Sequence, residues 1–110
     1  MSESLFPPFL HWGDYTSKDE KQPDVLNVEV LEIEPFDTEY GKNVRAKVDG
    51  IEKIIPLKNF STNNIKLLNL WIANTKKEKI KQGVKLALYT WLRKSKQNTD
   101  RDIRDWKMEF

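Results

Sequence analysis

Asn43-Val44-Arg45-Ala46-Lys47-Val48-Asp49-Gly50-Ile51-Glu52-Lys53-Ile54-Ile55-Pro56-Leu57 carries the plainest β-hairpin signal in the chain. Val44, Ala46 and Val48 alternate with Asn43, Arg45 and Lys47, the period of two of a half-buried strand, so Arg45 and Lys47 are expected on the outer face. Asp49-Gly50 follows at once, and this dipeptide between alternating runs signals a tight hairpin because both turn residues need positive φ. A two-residue loop sets Val48 opposite Ile51 and Lys47 opposite Glu52, a favourable cross-strand pair. It also turns Lys53 inward against Ala46, with Ile55 and Leu57 on the same inner face. Either Lys53 snorkels from the rim or the loop is one residue longer.

On its N-terminal side, Val25 to Phe36 form an earlier alternating run whose apolar parity switches between Val30 and Leu31. Such a switch marks a bulge or a strong bend, which the long first strand of a small barrel requires. Beyond the hairpin, Ser61 or Thr62 can cap a helix near 62–75, whose stripe is Ile65, Leu68 and Ile72 with Trp71 beside it. Gly83 then introduces a strand with Val84, Leu86 and Leu88 on one face and Lys85, Ala87, Tyr89 and Trp91 on the other. A polar loop leads to a last strand in which Trp106, Met108 and Phe110 alternate with Lys107 and Glu109. The layout is strand, strand, strand, helix, strand, strand: an all-β chain with one helix.

Charge is unevenly spread. Residues 1–24 carry two basic and five acidic side chains, whereas residues 76–107 carry 11 basic against four acidic ones. Such asymmetry favours a polyanionic partner for the C-terminal third. The leader, residues 1–24, combines this acidity with an aromatic stretch, Leu5-Phe6-Pro7-Pro8-Phe9-Leu10-His11-Trp12, that two prolines keep from forming a helix. Phe6, Phe9 and Trp12 are expected to pack, either over an open side of the same barrel or on a partner protein or second subunit.

Several chemistries lack their parts. With no cysteine and one histidine there is no thiolate metal site and no His dyad, and the four glycines are scattered singly rather than set in a phosphate loop. No enzymatic activity, cofactor or metal is therefore expected. The absence of a long apolar run, of a secretory-type start and of cysteine leads to the expectation of a cytoplasmic protein without a membrane contact.

Single-strand binding needs exposed rings for stacking and cations along the phosphates. The first connection, Pro35 to Lys42, offers Tyr40 beside Gly41, followed by Lys42, Arg45 and Lys47. The last, Leu92 to Arg104, has five basic residues among 13, namely Arg93, Lys94, Lys96, Arg101 and Arg104. Tyr89 and Trp91 lead into it on the face opposite the aliphatic set; bases, the leader or a second subunit are the possible covers. Asn43 and Asn98 are candidates for base edges, and Phe60 is an outside candidate ring.

Four short strings carry a resemblance: Thr38-Glu39-Tyr40-Gly41, Ile80-Lys81-Gln82-Gly83-Val84, Thr90-Trp91-Leu92-Arg93-Lys94-Ser95 and Arg104-Asp105-Trp106. With the element order, they make residues 25–110 resemble an OB-fold single-stranded nucleic-acid-binding domain, a five-stranded Greek-key barrel. The resemblance implies a single-stranded ligand, with DNA placed ahead of RNA, although stacking and phosphate contacts do not sense a 2′-hydroxyl. The fold equally serves protein binding, so a protein-interaction or assembly module is the alternative.

Overall fold

A computed structural model describes residues 8–38, 41–59, 65–94 and 102–110. In chain order they form β1 (Asp24–Val30), β2 (Phe36–Thr38), β3 (Gly41–Val48), β4 (Ile51–Asn59), α1 (Ile65–Lys76), β5 (Lys85–Lys94) and β6 (Asp102–Glu109). The sheet runs β2-β3-β1-β5-β6, with β4 also on β3, and the pairings between these strands are antiparallel. The molecule is thus mostly antiparallel sheet with one helix. There are six strands rather than five, and strand pairing does not close the sheet among the described residues.

The additional strand comes from a break in the first. β1 pairs with the end of β3 through Val28↔Val48 and Val30↔Ala46, and β2 with its start through Phe36↔Asn43 and Thr38↔Gly41. Between the two, the Leu31 and Glu32 N–H groups both donate to the Arg45 carbonyl, at 3.3 and 3.1 Å. Two residues facing one make a bulge, and the parity switch at Val30-Leu31 is its trace in the sequence.

The Asp49-Gly50 turn has the two-residue form: φ is 53° and 86°, and the register is Val48↔Ile51, Lys47↔Glu52 and Ala46↔Lys53. Lys53 is accordingly inward by register yet only half-buried. A second register shift falls between Lys42 and Asn43. The extra residue there is Leu57 of β4, between Pro56 and Lys58, and Asn43 is buried beside Val44, correcting its expected outward position. There its Nδ2 donates to Thr38 Oγ1 at 3.0 Å and to the Gly41 carbonyl at 3.1 Å. Pro56, opposite Asn43, sits at this irregularity, where a missing N–H costs least.

The core joins Leu26, Val28 and Val30 of β1 to Val44, Ala46 and Val48 of β3, Ile55 and Leu57 of β4, and Leu86 and Leu88 of β5. Helix α1 adds Leu67, Leu68 and Trp71, and the Trp71 Nε1–H donates to the Ile33 carbonyl at 2.7 Å. The helix is rotated from the expected stripe: Leu67 is buried and Ile72 is exposed. The cap expected at Ser61 or Thr62 lies outside the described residues.

The leader belongs to this core through Leu10 and Trp12. Along β4, the Leu10 N–H donates to the Ile54 carbonyl at 2.8 Å and the Ile54 N–H to that of Pro8 at 2.9 Å. Trp12 opens a one-turn 3-10 helix, Trp12–Asp14, and its Nε1–H donates to the Pro56 carbonyl at 2.9 Å. Its ring meets Trp106 edge-on at 6.2 Å. From β6, the Arg104 guanidinium donates to the carbonyls of Trp12 and Tyr15, at 2.8 and 2.7 Å. The leader is therefore bonded to β4 on one side and β6 on the other, which do not pair with each other. Trp12 is only 7% exposed and so is not presented to a partner; Phe9 is exposed, and Phe6 lies outside the described residues.

Candidate nucleic-acid interface

Alternation along β5 buries Leu86, Leu88 and Thr90 and turns Lys85, Ala87, Tyr89, Trp91 and Arg93 outward. Successive outward side chains stand about 6.6 Å apart, two residues at ~3.3 Å each. Tyr89 and Trp91 are part-exposed and line a shallow groove of about 250 Å³ with Glu20, Pro23, Lys107 and Glu109. The Tyr89 hydroxyl donates to Glu109 Oε2 at 3.0 Å. This bond raises the Tyr89 pKa and helps lower that of Glu109, alongside Lys107. The leader borders the strip, because the Leu92 N–H donates to the Ser17 carbonyl at 2.7 Å.

Of the six expected cations among the described residues, four already have carboxylate partners. Lys42 Nζ is 2.8 Å from Asp37, Arg45 Nε 3.5 Å from Glu32, and Lys94 Nζ 3.0 Å from Asp102. Arg93 pairs with Asp105, which Lys66 of α1 also reaches at 3.2 Å. Lys47 is exposed and has no ion pair with a described residue. Exposed pairs are worth about 0–1 kcal/mol, so Lys42, Arg45 and Lys94 can trade a carboxylate for a phosphate at little cost.

Arg104 requires a correction. Expected in a loop, it lies on β6 with the inward parity of Trp106 and Met108. Besides the leader carbonyls it donates to Thr90 Oγ1 at 3.1 Å, and its guanidinium stands 5.9 Å from the Trp12 ring centroid. Burial lowers its pKa and Asp24 opposes that shift. It holds the leader and is not available to phosphates. Tyr40, Lys96 and Arg101 lie outside the described residues, as do Phe60 and Asn98.

The two expected clusters are not adjacent. β3 and β5 are both antiparallel to β1 and so run the same way. Lys42 and Arg45 lie towards one end of the sheet, and Trp91, Arg93 and Lys94 towards the other. Counted along β1, Arg45 and Trp91 are separated by roughly eight residue steps, or about 26 Å. Midway, Lys47 and Lys85 flank Glu29 in one cross-strand row, with Glu52 beyond Lys47.

Asp105 supplies a pH-dependent element. Burial pushes its carboxyl up, but hydrogen bonds from Arg93 and Lys66 outweigh this and hold it below the usual carboxylate range. A carboxylate lowered by folding stabilises the fold above its unfolded pKa, and that contribution disappears as pH falls through the folded one. Asp105→Asn should therefore flatten the acid limb of stability below about pH 4. Urea midpoints followed down the pH scale check this, and an unchanged limb would contradict the coupling.

The sequence reading missed Phe110. It alternates with Trp106 and Met108 in the sequence, but it lies beyond the end of β6 and is 51% exposed. Lys79 Nζ stands 5.9 Å from its ring centroid. Phe110 lines a larger groove of about 790 Å³ with Lys47, Lys85 and Ala87. Among the described residues no group of three or more His, Cys, Asp or Glu is placed to hold a metal. None of their helices is long and apolar enough to cross a membrane. Compared with protein-family models, curated proteins and solved structures, the chain has no significant match in any of the three.

Proposed function

We propose that the chain binds single-stranded nucleic acid through the outer face of β5, without catalysing a reaction. The observation that carries this reading is the pair Tyr89 and Trp91, neighbours on one outward strand face and both lining an open groove. Each stacked base contributes about 1–3 kcal/mol, so two rings are enough for short-range affinity. Lys94 and the other weakly paired surface cations supply the salt-sensitive part.

The fold that goes with this reading is an OB-type barrel with a divided first strand. Three features support it: β1 pairs with β3 on one side and β5 on the other, α1 separates the third and fourth strands of the barrel, and the leader occupies the seam between β4 and β6.

Tryptophan fluorescence titrated with single-stranded and duplex oligonucleotides tests the proposal. Single strands should quench the emission, duplexes should not, and the binding constant should fall with salt at about −0.7 log units per contacted phosphate. Equal responses to both forms, or affinity that ignores salt, would contradict it. Absence of any response would leave the alternative of a protein-interaction module, for which Val25, exposed and paired opposite Tyr89, extends the apolar strip.

A further inference from the structure

We infer that a second single-strand contact lies where α1 passes into β5: a lysine ridge backed by the exposed ring of Phe110. The inference rests on the function proposed above and extends the ligand's path from the β5 strip.

Ion-pair accounting is the first observation. The cations expected from the sequence to follow the phosphates are mostly paired or, for Arg104, turned inward. By contrast, Lys76, Lys77, Lys79, Lys81 and Lys85 are all exposed and have no ion pair with any described residue. Glu78 is the only acid between them. The unspent positive charge of the described surface is concentrated here, and a phosphate binding here displaces no carboxylate.

The ridge is also held in place. Ile80 is buried in the core, and the N–H groups of Lys79 and Ile80 both donate to the Asn74 carbonyl, at 2.9 and 3.2 Å. At its other end the Gly83 N–H donates to the Val30 carbonyl at 2.7 Å, and the Val30 N–H to that of Val84 at 2.9 Å. A segment pinned at both ends presents its lysines with little backbone ordering left to do on binding.

Ring and cations meet at Phe110. Lys79 stands by that ring, and Lys85 joins it in lining the larger groove. This groove and the one beside Tyr89 and Trp91 share Glu109, so the outer face of β5 is one track from Trp91 to Lys85. Glu29, Asp49 and Glu109 also line the larger groove. Each has a neighbour: Glu29 lies in the row between Lys47 and Lys85, Asp49 accepts from Asn27, and Glu109 accepts from Tyr89. They keep phosphates off the groove floor, which leaves the backbone to follow the lysine rim and a base to reach Phe110.

The test uses the full chain, Lys79→Gln/Lys81→Gln, Phe110→Ala and Trp91→Ala, each titrated with labelled oligothymidines of about 5 and about 15 nucleotides, within known site sizes for such barrels. For the long strand, the double substitution should reduce the salt slope by about 1.4, two phosphates at ~0.7 each, and Phe110→Ala should weaken binding about tenfold. The short strand, held by Tyr89 and Trp91, should bind both variants like the unmodified chain. If neither variant changes long-strand binding while Trp91→Ala weakens it, the ridge is solvated surface and the proposed function stands alone. If the unmodified chain binds neither strand, the proposed function fails and the inference with it.

Discussion

Trp91→Ala is expected to weaken single-strand binding by about 5- to 150-fold, the equivalent of the 1–3 kcal/mol lost when one stacking platform is removed. The effect should be large because Trp91 is the bulkier of the two rings on the outward face of β5, and Tyr89 is the other ring among the described residues of that groove. Its side chain lies outside the buried core, so the fold should survive the change. Oligonucleotide anisotropy measures the affinity and circular dichroism the fold. A loss within about twofold, with the fold intact, would remove the stacking assignment.

Trp12→Ala should destabilise the chain by about 3–5 kcal/mol, the usual cost of truncating a buried large aromatic. Against a typical total of about 5–15 kcal/mol, that is a substantial fraction. The substitution empties the space beside Trp106 and Tyr15 and removes the donor to the Pro56 carbonyl. It also takes away the ring against which the Arg104 guanidinium rests. Phe9→Ala, at an exposed position next to the buried Leu10 of the same segment, should cost far less. Urea unfolding of the two variants measures the contrast. Equal and small losses would mean that the leader merely covers the sheet and adds little to its stability.

Local chemistry was legible in the sequence and long-range partnership was not. The Asp49-Gly50 hairpin has the expected register because two positive-φ residues and alternating neighbours fix a two-residue loop. The bend after Val30 showed as a parity switch because a bulge shifts every later side chain to the other face. Asn43 escaped the same logic: the extra residue at its irregularity, Leu57, lies on the partner strand β4, so the alternation of β3 carries no trace of it.

Arg104 illustrates a boundary error with a functional consequence. A loop running to residue 104 makes it a free cation, but β6 begins at Asp102 and parity with Trp106 then places it inward. The cation pairing was out of reach for a different reason. Asp105 is 12 residues from Arg93 and 39 from Lys66, so only the folded sheet and helix bring the three together. Runs of lysine look alike in sequence whether or not distant carboxylates neutralise them. The 76–85 ridge therefore differs from Arg45 and Lys94 only once the fold shows which lysines lack a carboxylate neighbour.

Indole resonances provide the most direct measurement, since the four tryptophans report on different places. Trp12 and Trp71 are buried, Trp106 packs against the core, and Trp91 lies on the outward face of β5. When a single-stranded oligothymidine is added, the Trp91 indole signal and the Tyr89 ring signals should move together and saturate, while those of Trp12 and Trp71 stay in place. A ligand that binds yet leaves Trp91 and Tyr89 unmoved would contradict the account.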